Sequence, residues 1–96
     1  MTHYVLFKFE DGFMSEEVLS RYEQTYSKLK FLLPEDIKDY AIFGNCVERD
    51  SNMDMMVKIE LGEKSSLQRY LQHPEHTALI SSFRVREKSR VSFDHE

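Results

Sequence analysis

Between Tyr70 and His76 the chain reads Tyr-Leu-Gln-His-Pro-Glu-His, placing a phenol and two imidazoles around a proline. Imidazole is the one side chain whose ordinary pKa lets it both take and give a proton near neutrality. A phenol beside it can hold a substrate carbonyl or stabilise an enolate, as an oxyanion donor does. The same residues also suit a plain structural corner, in which His76 caps or hydrogen-bonds the helix break and Tyr70 packs in the core. His3 either joins His76 in a pocket or sits satisfied at the rim of the sheet.

Other chemistry-bearing types are weaker. His3, His73, His76 and His95 with Glu75 invite a metal. Zinc needs three or four converging ligands, however, and His73 and His76 bracket a proline rather than share a regular helix, so no metal site is expected. Arg84, Arg86, Lys88 and Arg90 could gather an anionic ligand, although such alternation reads first as a solvated edge that discourages aggregation. Met55 and Met56 suit an adaptable pocket wall or ordinary packing. Cys46 has no activating partner in sequence.

The elements that must position these groups follow from periodicity. Residues 3–9 alternate as a strand, with His3, Val5, Phe7 and Phe9 on one face and Tyr4, Leu6 and Lys8 on the other. From Ser15, an N-cap, Leu19, Tyr22, Tyr26, Leu29 and Leu33 form one helical stripe. Glu17 and Arg21 are spaced for an ion pair on that helix, and Pro34 ends it. Strands are expected at 39–47 and 54–61. A short helix opens at Ser65 or Ser66 and carries Leu67, Tyr70 and Leu71. Pro74 stops it at His73 and starts a second helix with His76, Leu79, Ile80 and Phe83 inward. A last strand spans 90–94. The order β-α-β-β-(αα)-β is the α+β, ferredoxin-like β-α-β-β-α-β arrangement with an antiparallel sheet. Helices cover one sheet face. The other, with Tyr4, Leu6 and either Ile42 or Phe43, needs a second cover, most simply a second copy across a two-fold axis.

Ninety-six residues make one domain, 1–96, with room for a modest core. Such a chain buries roughly 60–65% of its unfolded surface, so dimerisation would aid stability. Thirteen basic against seventeen acidic side chains give a net charge of −4, which argues against a nucleic-acid partner. One cysteine fits a reducing compartment. No signal peptide and no membrane-spanning run is read, so a soluble, cytoplasmic protein is expected.

Five landmarks occur in a specific order along almost the whole chain. They are His3-Tyr-Val-Leu-Phe-Lys-Phe9, the Gly12-to-Glu17 turn, Gly44-Asn45, the Tyr70–His76 block and Val91-Ser-Phe-Asp94. Together they resemble the stress-responsive A/B barrel domain family of dimeric α/β barrels. The resemblance implies a homodimer whose two sheets pack into one barrel with the helices outside. It extends to olivetolic acid cyclase-type polyketide cyclases. There it implies a working pair at Tyr70 and His76, with pocket residues at His3 and near Tyr26. It puts Met55 where those cyclases carry another pocket histidine. The 83–90 stretch departs from the family's proline-containing approach to the last strand.

The leading expectation is a homodimer with a small apolar pocket per subunit, binding a small molecule or serving a stress-related role without a cofactor. The alternative is a cofactor-independent polyketide cyclase or lyase acting on a β-keto compound through Tyr70 and His76. A monooxygenase of the related dimeric ferredoxin-like type lacks its pocket set here. A pocket beside His76 that is filled by side chains would remove the enzyme's substrate site.

Overall fold

The computed structural model describes residues 1–96. Its elements are β1 (Thr2–Phe9), α1 (Glu16–Leu32), β2 (Ile37–Gly44), β3 (Met55–Leu61), α2 (Lys64–Gln72), α3 (Pro74–Phe83) and β4 (Glu87–His95), with a short 3₁₀ turn at Arg84–Arg86. The four strands form one antiparallel sheet in the order β2-β3-β1-β4. This is the ferredoxin-like fold that the element order implies. No helix is long and apolar enough to cross a membrane.

The helix-covered face holds the core. Val5, Phe7 and Phe9 of β1 and Met55, Val57, Ile59 and Leu61 of β3 are buried there, meeting Val18, Tyr22, Tyr26 and Leu29 of α1. The α1 stripe is therefore turned toward Val18, with Leu19 and Leu33 only partly buried at its margins. Ser15 caps the helix by accepting the Val18 N–H at 3.3 Å. Gly44 leaves room for that packing, since a Cβ there would come within 3.1 Å of Leu19 Cδ1. Arg21 makes no pair with Glu17. It reaches Ser82 Oγ at 3.4 Å and lies over the Phe83 ring, tying α1 to α3.

Three boundaries differ from expectation. The strand expected at 39–47 begins at Ile37, opposite Leu61, and ends at Gly44. Beyond it the Asn45 side chain turns to donate to the Val47 carbonyl at 2.6 Å, which starts the loop. Neither Ser65 nor Ser66 is the N-cap of α2; the cap position is Glu63. Ser66 is instead buried and donates to Asp36 Oδ1 at 2.8 Å, where Arg69 Nε also donates at 2.9 Å. The last strand starts three residues early, because Ser89 and Glu87 pair with Lys8 and Phe9 at the end of β1.

The opposite face has no cover. The register aligns Val91, Leu6, Met56 and Phe43 in one row across the sheet, and Phe93, Tyr4, Lys58 and Ala41 in the next. Phe43, Val91 and Phe93 are 51%, 53% and 63% exposed, unusual for side chains of this size in a sheet. Ile42 belongs to the helix side, against the core; Phe43 belongs to the open face.

Candidate functional site

The strand β4 has an inverted pattern. Val91 and Phe93 face the open side, whereas Arg90, Ser92 and Asp94 pair with the core-facing Phe7, Val5 and His3. Polar groups thus line the side where the helices would normally demand apolar ones. Between them and the α2–α3 corner lies a cavity of about 230 Å³. His3, Tyr70, His76 and Arg90 line it, with apolar walls that include Val5, Phe7, Leu71 and Ile80. Most of its lining is apolar, with these polar groups set among the hydrophobic residues. Its volume falls below the roughly 300–1,000 Å³ of drug-sized sites and suits a ligand of few heavy atoms.

Each polar side chain is held by a second group. The α2–α3 break puts His73 at ψ 136°, and Pro74 opens α3. His73 itself caps α3, its Nδ1 accepting the Glu75 N–H at 3.1 Å. One turn on, His76 Nδ1 lies 3.0 Å from the Leu71 carbonyl. A carbonyl oxygen only accepts, so Nδ1 carries the hydrogen and the neutral ring keeps its lone pair on Nε2. Burial lowers the His76 pKa, Arg90 and His3 add to the effect, and the Leu71 carbonyl opposes it. The ring is therefore a neutral base at pH 7.

The Tyr70 and His76 ring centroids are 4.6 Å apart. The Tyr70 hydroxyl is hydrogen-bonded to that of Tyr26, and burial pushes the pKa of both phenols up. Both stay protonated; if Tyr26 donates within the pair, the Tyr70 hydrogen is free for a ligand. His3 meets Tyr70 edge-on, and its Nδ1 is bonded to the Asp94 carboxylate. By the same acceptor argument, a neutral His3 ring keeps its lone pair on Nε2.

Of the residues singled out in the sequence, Tyr70, His76 and His3 meet at this cavity. Tyr26 stands behind Tyr70 and does not line it. Met55 lies elsewhere, buried in the core beside the opening between Leu6, Phe43 and Met56. His73 is a cap, and His95 stacks on Tyr4 at the open face. Asp94, the Leu71 carbonyl and the inward position of Arg90 escape sequence reasoning, because all three depend on pairing and cap geometry. A larger concavity, about 410 Å³, lies at the far end of β1 around Lys8, Glu10 and Arg49. Its central Lys8 and Asp54 are paired with each other at 3.6 Å.

The family model described as Stress responsive A/B Barrel Domain matches residues 1–96. The chain belongs to that family. No curated protein matches it. Among solved structures, it is similar to a dimeric ferredoxin-like protein of unknown function from Thermobifida fusca. The identity is 25%, the TM-score 0.76, and the match covers 96% of this chain and 85% of that one. A dimeric protein of ferredoxin-like fold and unknown function from Bacteroides fragilis shares 23% identity with a TM-score of 0.81, covering 99% and 93%. A hydroxynitrile lyase from Passiflora edulis shares the fold at 11% identity and a TM-score of 0.74, covering 98% and 89%. This A/B barrel domain thus shares its fold with an enzyme and with proteins whose activity is unknown.

Proposed function

We propose that this A/B barrel domain works as a cytoplasmic homodimer, with one small-molecule pocket per subunit between β4 and the α2–α3 corner. The dimer reading rests on the uncovered rows through Leu6 and Tyr4 and on the dimeric state named for two similar structures. An exposed, unpaired Cys46 fits a reducing compartment. The stress-related role comes with the family's description.

The pocket reading rests on one observation: His76 presents a lone pair on Nε2 in a small cavity shared with a neutral phenol. That set suits a ligand with a carbonyl oxygen and an acidic C–H or O–H. Titration of the labelled protein with methyl acetoacetate, followed by NMR, should shift the His76 and His3 ring signals. Unmoved ring signals at tens of millimolar ester would end this reading.

The same observation favours a second reading, a cofactor-independent polyketide cyclase or lyase. His76 Nε2 would take the proton and Tyr70 would hold the developing oxyanion, with His3 a secondary contact. The fold shared with a hydroxynitrile lyase adds a precedent for such chemistry on this scaffold.

A further inference from the structure

Arg90 is the one permanent cation in the cavity wall, placed there by its pairing with the core-facing Phe7, and a bulge beyond it places its neighbour Glu87. The register of β1 against β4 shifts between Lys8 and Phe9: Lys8 pairs with Ser89, but Phe9 pairs with Glu87. Lys88 is the extra residue of this bulge. The bulge brings Glu87 into phase with the helix-facing side chains, alongside Arg90.

The Glu87 side chain is 10% exposed and approaches Arg90 Nε only to 3.5 Å. That distance falls short of a hydrogen bond, and Glu87 Oε1 is buried without one, as is the hydroxyl of Tyr22 nearby. The guanidinium is thus positioned by a loose pair on one side, while its terminal nitrogens, the natural fork for a carboxylate, are taken by no protein acceptor. Around it the cavity offers Val5, Phe7, Leu71 and Ile80, which shield the guanidinium from solvent on the cavity side only. Arg90 lines the cavity with His76 while its side chain stays 37% exposed, so it serves the edge and the cavity together.

We propose that Arg90 is a specificity residue and that the pocket's ligand is a small carboxylic acid, its carboxylate on the Arg90 guanidinium and its carbonyl end toward His76 and Tyr70. This rests on the pocket reading above and narrows it from carbonyl compounds to their acids. Glu87 keeps the guanidinium from collapsing toward solvent and leaves the cavity side of the fork to the ligand.

Binding of fresh acetoacetate and of methyl acetoacetate, measured by the His76 ring shifts at pH 7, separates the possibilities. The unmodified protein should bind the acid at least about 10-fold more tightly than the ester, the size of one charge-assisted hydrogen bond. Arg90→Gln should bring the two affinities within about 2-fold by weakening the acid alone, and Arg90→Lys should restore part of the preference. An unchanged melting temperature and ester affinity in Arg90→Gln would show that the pocket is intact. Equal binding of acid and ester by the unmodified protein, or a preference that survives Arg90→Gln, overturns the assignment while leaving the pocket reading in place. Failure of both probes to move the His76 signals overturns the pocket reading and the assignment together.

Discussion

His76 Nδ1 donates to the Leu71 carbonyl at 3.0 Å, joining the first turn of α3 to the last turn of α2 across the proline break. The contact satisfies a carbonyl that the end of α2 would otherwise leave open. It also sets the imidazole tautomer. The contact that closes the corner is thus also the one that leaves the imidazole lone pair on Nε2.

The buried ring predicts a pH dependence. Its pKa lies below the ordinary 6.5 in the folded chain, with Tyr70 on α2, His3 on β1 and Arg90 on β4 as its titratable or charged neighbours. Unfolding restores the ordinary value, so between the two the unfolded chain binds more protons and stability rises with pH. The contribution is complete above about 6.5 and is lost as pH falls through the depressed value. NMR titration of the His76 ring should give a midpoint under 6.5. Thermal melts between pH 7 and 5 should fall more steeply for the unmodified chain than for His76→Gln. A midpoint at or above the ordinary value would contradict the buried, neutral ring.

The open sheet face predicts the assembly. Leu6 sits mid-row between Val91 and Met56, with Phe43 beyond, so a second sheet packed on this face would bury it fully. Light scattering at micromolar concentration should give the mass of two chains. Leu6→Asp should yield single chains or loss of fold, because burying an unpaired charge is strongly unfavourable. Phe93→Lys, on the edge strand and already well exposed in one chain, should give folded single chains. A two-chain mass for both variants would place the interface elsewhere.

Two groups hold the corner, and they should be separable. Pro74 excludes His73 from the helical region, and the His73 ring caps the Glu75 N–H. Pro74→Ala should cost about 0.5–1 kcal/mol through the unfolded state and leave the break in place. His73→Ala should cost about 1 kcal/mol as a lost cap. Only the double variant should let helix run through, moving His76 off Leu71, which a gain of helix by circular dichroism and loss of the hydrogen-bonded His76 Nδ1–H signal would report. A continuous helix in Pro74→Ala alone would show that the proline, not the cap, decides the corner.

The sequence carries most of this fold because single periods dominate it. Alternation in 3–9 and in Met55–Leu61 gives the central strands, and Tyr22, Tyr26 and Leu29 give the buried helix face. What it hides depends on distant partners. Ser66 looks like a cap until Asp36, thirty residues earlier, takes its hydroxyl. The charges of Glu87–Arg90 conceal the start of β4, since an edge strand tolerates charges that a central one does not. The polar positions 90, 92 and 94 alternate with apolar 91 and 93 in plain view, yet which set faces the helices is fixed only by the pairing of His3 with Asp94. The Asp94–His3 contact and the inward Arg90 follow from that register and from nothing local.

The catalytic reading makes a demand that a structural corner does not. If His76 is the base, His76→Ala should lower turnover of a β-keto thioester or polyketide analogue by roughly 10²–10⁴-fold, the usual worth of general acid–base assistance. It should also reduce stability by about 1 kcal/mol, for the Leu71 carbonyl loses its partner. Tyr70→Phe should lower the rate while preserving binding, since the ring still fills its place and only the hydroxyl leaves Tyr26 unpaired. His3→Gln tests the neighbouring Asp94-oriented ring: a smaller loss than in His76→Ala keeps His3 in a supporting role, and a larger one moves the base to His3. Unchanged rates in all three variants, with only the melting temperatures lowered, would reduce the constellation to a folding device and leave the binding pocket without chemistry.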